Sequence, residues 1–212
     1  MAPTSCFTGQ VHRLPDAPEA YGAMITRAKA APGQSRYADL RSKVQHPYGG
    51  AMSPLTITWT LRHHGWAFCR VADDQSEAEV VASYVTGGPE QFLNAITRLA
   101  LTDEETRAEF EGEPQVYRWL FHREGAGVDI RLLRVGNFSK PDSSGVVLWS
   151  SHQTITALAR AALRAFDQVA EELGEEGYAS QWGRPYPRTE LEALRIALRA
   201  LVKGAPSPDT NA

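Results

Sequence analysis

The chain has 212 residues, a formal net charge of −3, and 42% hydrophobic against 22% charged residues. That length supports one sizeable core without disulfide or metal staples, since a folded region of about 150 residues buries roughly 70% of its unfolded surface. The slight acidity lacks the basic face that neutralises phosphates, which excludes a general affinity for nucleic acid. No run approaches the roughly 20 apolar residues that cross a bilayer.

Residues 1 to 53 hold Pro3, Pro15, Pro18, Pro32 and Pro47 and no sustained apolar period. They predict a flexible leader, in which only Ala20 to Ala31 places Tyr21, Met24, Ile25 and Ala28 at helical spacing. No charged segment followed by an apolar core opens the chain, so no secretory signal is read. Cys6 falls in the leader and Cys69 in an apolar strand pattern. A reducing, cytoplasmic setting suits them better than a disulfide framework.

From Leu55 the pattern sharpens. Leu55, Ile57, Trp59 and Leu61 alternate with Thr56, Thr58, Thr60 and Arg62, the period of two of a half-buried strand. His64-Gly65 turns into a second strand, Trp66 to Val71. Asp73 to Ser76 turns into a third, Glu79 to Val85. Gly87-Gly88-Pro89 opens a helix whose apolar face is Phe92, Leu93, Ile96, Leu99 and Ala100. The acidic segment Asp103 to Glu113 predicts a short helix with Phe110 turned inward.

Three further strands follow, Val116 to Arg123, Val128 to Val135 and Val146 to Ser150. The long helix after them carries Ile155, Leu158, Ala162, Phe166 and Val169 inward and is stopped by Gly174. Ser151 suits its N-cap. A last helix begins at Thr189, which forms a capping box with Glu192. The class is therefore α+β: an antiparallel sheet of about six strands, in the order β-β-β-α-β-β-β-α-α, with helices packed mainly on one face. The domain spans residues 54 to 203, and the tail from Gly204 is disordered by composition.

Candidate chemistry is sparse. His63 and His64 stand about 20 Å from Asp73 and Asp74 across a strand, which argues against a metal site. Gly125-Ala126-Gly127 sits in a hairpin and precedes no helix, so it is no dinucleotide fingerprint; no cofactor is implied. In a simple meander His63, His64 and His152 fall at one sheet edge with Ser150 and Ser151. His122 joins them if the fourth strand runs the matching way. With a carboxylate such as Glu124 this resembles a hydrolytic set, but the glycine-flanked nucleophile elbow is missing. Trp119 shares a face with Tyr117 and Phe121, so one sheet face reads as open and aromatic. Between the last helices, Tyr178, Trp182, Arg184 and Tyr186 have the composition of an interface anchor, with a loop folded over the sheet edge as the alternative.

The strand-rich halves, Leu55 to Val85 and Val116 to Ser150, together with phrases such as Tyr117-Arg118-Trp119 and Asp129-Ile130-Arg131, resemble small actinobacterial α+β proteins. Some of these are immunity proteins of polymorphic-toxin systems, and others have secretion-chaperone folds. The resemblance spans Ser53 to Lys203 and carries over no functional residue. It implies a non-catalytic module that holds another protein. The acidic bursts Asp103 to Glu113 and Glu171 to Glu176 point to a basic partner. The alternative is a small enzyme or ligand binder with its pocket at the sheet edge near His63 and His152, built from His63, His122, Ser150 and His152. Oligomeric state is not legible.

Overall fold

A computed structural model describes residues 55–62 and 64–204. The expected leader, His63 and the residues after Gly204 lie outside the described residues. Three strands, β1 (Thr56–Arg62), β2 (Trp66–Ala72) and β3 (Glu77–Ser83), form one antiparallel sheet in the order β1-β2-β3. Helix α1 (Gly88–Leu101) leads to β4 (Glu105–Glu111), β5 (Val116–Glu124), β6 (Gly127–Val135) and β7 (Val146–Thr154). These make a second antiparallel sheet in the order β4-β5-β6-β7. Helices α2 (Ile155–Trp182) and α3 (Arg188–Gly204) close the chain. The class is α+β with antiparallel pairing throughout, as expected, but with seven strands in two sheets.

The additional strand is the acidic segment, where a short helix was expected. Thr106, Ala108 and Phe110 are buried, whereas Glu105 and Arg107 are exposed and Glu109 and Glu111 half-buried. That is a period of two, and a helix would have scattered those three around its circumference. Phe110 does turn inward.

Both sheets bury one face in a common core. Trp59 of β1 meets Phe110 edge-on at 5.6 Å and stacks on Phe166 of α2 at 5.6 Å. Phe92 of α1 packs on Trp119 at 5.1 Å and on Phe121 at 6.0 Å. Each Phe-sized side chain buried this way contributes about 1.5–3 kcal/mol. Tyr117, Trp119 and Phe121 are thus core, with Phe92 of α1 packed on the last two, and the aromatic face read as open is closed. Cys69 is buried beside Ala67 and Val71, and that burial pushes its thiol well above the ordinary range.

Local turn chemistry agrees with the sequence. Asp73 Oδ1 accepts the backbone N–H groups of Gln75 and Ser76 at 3.0 and 2.8 Å, an Asx turn between β2 and β3. Two helix starts move. Thr154, not Ser151, caps α2, its hydroxyl accepting the Ala157 N–H at 3.0 Å, because β7 runs on through Thr154. Helix α3 begins at Arg188, so Thr189 lies inside it and Glu192 pairs with Arg195.

Gly174 breaks α2 without ending it. Its φ of 67° and ψ of 167° lie in a region open essentially to glycine alone. A second helical segment continues to Trp182, and Gly183 in the left-handed conformation ends it.

Candidate functional site

Among the described residues no α-helix packs on the outer face of the β4–β7 sheet, and cross-strand pairing sorts its side chains into rows. Glu105 pairs with His122, His122 with Asp129, and Asp129 with His152. One row further on, Arg107 pairs with Leu120, Leu120 with Arg131, and Arg131 with Ser150. Residues opposite one another share a face, and two residues along a strand span about 6.7 Å. A row of carboxylates and imidazoles therefore lies beside a row holding two arginines.

These rows line a trench of about 390 Å³. Its walls are Glu105 and Arg107 of β4 and Asp129 and Arg131 of β6, with Leu120 and His122 of β5 between them. Asp142, from the loop joining β6 to β7, also lines it. Arg118 holds that loop in place. Its guanidinium donates to Glu109 Oε1 at 2.5 Å, Lys140 O at 2.5 Å, Asp142 Oδ1 at 2.8 Å and Phe138 O at 2.7 Å. The Arg118 side chain is only 3% exposed. Burial alone would favour loss of its charge, but the hydrogen bonds and charges of Glu109 and Asp142 outweigh it and raise its pKa above the ordinary value.

The histidines divide between carboxylates. His152 Nδ1 stands 2.7 Å from Asp129 Oδ1. An ionised carboxylate only accepts, so Nδ1 carries the proton. His122 approaches Glu105 through Nδ1 at 3.3 Å and Glu124 through Nε2 at 3.8 Å. Ser150 shares this face but not this network. The His152 ring leans the other way along the strand, over Gly127, where an added Cβ would meet Cε1 and Nε2 at 2.8 Å each. Of the expected pocket residues, His122, Ser150 and His152 come to one sheet face. His63 lies outside the described residues. Its neighbour His64 stands in the β1–β2 turn of the other sheet, whose Gly65 N–H donates to Gln181 O near the end of α2. The single sheet edge expected for these histidines does not form, because their strands belong to different sheets.

The Tyr178 to Tyr186 segment is also redistributed. Tyr178 and Trp182 lie in α2 and are fully buried, so their rings are core and offer no surface to anchor a partner. Only 183 to 187 forms the link to α3. Arg184 donates to Val85 O at 3.0 Å, and Tyr186 donates its hydroxyl to Phe166 O at 3.0 Å. Both tie the link down.

Sequence reading missed Glu105, Arg107, Arg118, Asp129 and Arg131. The alternation of Glu105, Arg107 and Glu109 with Thr106, Ala108 and Phe110 was the signal that could have placed the first two. Among the described residues no group of three or more His, Cys, Asp and Glu is placed to hold a metal, and no helix is long and apolar enough to cross a membrane. No family model, curated protein or solved structure matches the chain.

Proposed function

We propose that this chain is a non-catalytic module that holds a partner protein, of the immunity or chaperone kind, on the outer face of its β4–β7 sheet. The observation that carries the reading is a sheet face, bare of α-helix among the described residues, that forms a charged trench with a loop fixed at its margin by the buried Arg118. Rigid backbone beneath exposed charge lowers the cost of ordering on association. Exposed Glu105 of β4 and Glu124 of β5, with Asp129 on the neighbouring β6, would steer a basic partner. The test is stoichiometric capture by the full chain from its native cells. Capture should fall at least tenfold in the doubly reversed variant Glu105→Lys, Asp129→Lys. Capture of nothing, or of a partner indifferent to both reversals, overturns the assignment.

A second reading, a small enzyme or ligand binder, draws on the Asp129–His152 pair at 2.7 Å. It requires a small molecule whose binding or turnover is lost in His152→Gln. The protein-binding reading is preferred because Ser150 hydrogen-bonds to neither histidine of its face, so acid, base and nucleophile do not converge there.

A further inference from the structure

We infer that the trench receives a polypeptide segment presenting a cation and a carboxylate about 7 Å apart, an inference that rests on the protein-binding reading and narrows it. The trench is walled by like charges that face each other. Glu105 and Asp129 stand on either side of His122, and Arg107 and Arg131 on either side of Leu120. Each pair is separated by two strand spacings, about 10 Å between backbones. That distance lets two side chains converge from both walls on one group lying above β5.

The two arginines are distinguished from the other arginines around them. Arg98 pairs with Asp103 at 2.5 Å. Arg118 is consumed by Glu109 and the loop. Arg123 donates to Leu99 O and Gly125 O at 2.8 and 2.9 Å. Among the described residues Arg107 and Arg131 have no hydrogen bond or ion pair, although both line the trench. Each guanidinium offers a planar fork of donors suited to a carboxylate.

Charge selects the ligand. A simple anion drawn to the arginines meets Glu105, Asp129 and Asp142 on the same walls, and a simple cation meets the arginines. A nucleic-acid strand would lay successive phosphates on both rows and be repelled by one of them. A group carrying both signs satisfies both rows. The rows are about 6.7 Å apart, the spacing of two residues along an extended chain. Lysine and a carboxylate two residues on in an extended segment match that spacing. A C-terminal lysine also matches it, its own α-carboxylate being about one side-chain length from the ammonium.

The test titrates short peptides into the full chain at low salt and follows amide chemical shifts. An internal probe, acetyl-Ala-Lys-Ala-Asp-Ala-amide, and a terminal probe, acetyl-Ala-Ala-Lys with a free carboxylate, separate the two sources. At least one should bind saturably, with shifts centred on Arg107, Leu120, His122 and Arg131. Its affinity should fall at least tenfold in Arg107→Gln, Arg131→Gln and likewise in Glu105→Gln, Asp129→Asn. Amidating the terminal lysine should abolish binding if that source is the one used. Equal binding of a Lys-Ala-Lys or Asp-Ala-Asp peptide, shifts outside the trench, or no binding at all would overturn the inference. If the peptides fail while the captured partner still depends on Glu105 and Asp129, only this inference falls. If that dependence is also lost, the protein-binding assignment falls with it.

Discussion

His152 reaches across the β6–β7 pair to Asp129, its Nδ1 2.7 Å from Oδ1, with the imidazole lying against the bare Cα of Gly127. The hydrogen bond and the close approach depend on each other. A Cβ at Gly127 would sit 2.8 Å from Cε1 and Nε2, and the ring can escape only by swinging away from Asp129. Gly127→Ala should therefore change the tautomer balance of His152, read from its imidazole ¹⁵N shifts, as Asp129→Asn should. The stability cost of Asp129→Asn stays below about 1 kcal/mol, because exposed pairs are worth little. Unchanged imidazole shifts in Gly127→Ala would contradict the packing described.

Arg118 is the opposite case, a buried cation whose loss strands several groups at once. Replacing it with methionine leaves Glu109 and the carbonyls of Phe138 and Lys140 without their donor. Removing one member of a buried charge network costs about 3–5 kcal/mol. Arg118→Lys should recover little, since an ammonium cannot span partners in four directions. Hydrogen exchange should show protection lost first around 137–145, before the core strands open. Uniform loss across the sheet would mean that Arg118 supports the core and not the loop.

Much of the architecture was legible because period-two burial is written into the strands. Thr56 to Arg62 and Val128 to Val135 declare their faces by residue type alone. Glu105 to Glu111 did not, because its inward positions are Thr106, Ala108 and Phe110 and its charges mask the alternation. The trench escaped for a related reason. Its residues come from three strands, β4, β5 and β6, so Arg107 and Arg131 have no proximity in sequence. Gly174 is legible as a helix breaker, but the helical segment beyond it is not. A glycine can redirect a helix as readily as end it, and only the packing of Trp182 against Trp59 at 5.5 Å decides between these.

Burial of Trp182 in turn fixes what its removal does. Trp182→Ala should cost about 3–5 kcal/mol through cavity formation, read as a lower urea midpoint. Its indole N–H has no hydrogen-bond partner among the described residues, so Trp182→Phe forfeits packing alone and should cost distinctly less. Any effect of Trp182→Ala on partner capture should then scale with the unfolded fraction. Wild-type stability in the alanine variant would show the ring to be at the surface.

Two tyrosines of the same region set the alkaline limit of stability. Burial, with the nearby Asp167 carboxylate, pushes Tyr186 from its ordinary 10.0 up to about 12 despite the opposing charge of Arg195. Burial and Glu90 push Tyr178 higher still. A folded-state value above the unfolded one means the unfolded chain releases its proton first as pH rises. The stability is therefore intact below about pH 10 and is lost progressively between there and pH 12. Tyr186→Phe gives up the 3.0 Å bond to Phe166 O, about 1 kcal/mol near neutrality. Its deficit against wild type should shrink above pH 10, where the wild-type phenol becomes a liability. Tyr178 makes no hydrogen bond to the described residues through its buried hydroxyl, so Tyr178→Phe should match wild type near neutrality and exceed it at about pH 11. Urea midpoints measured across that range test both. Parallel curves for wild type and Tyr178→Phe would show that the buried phenol does not resist ionisation.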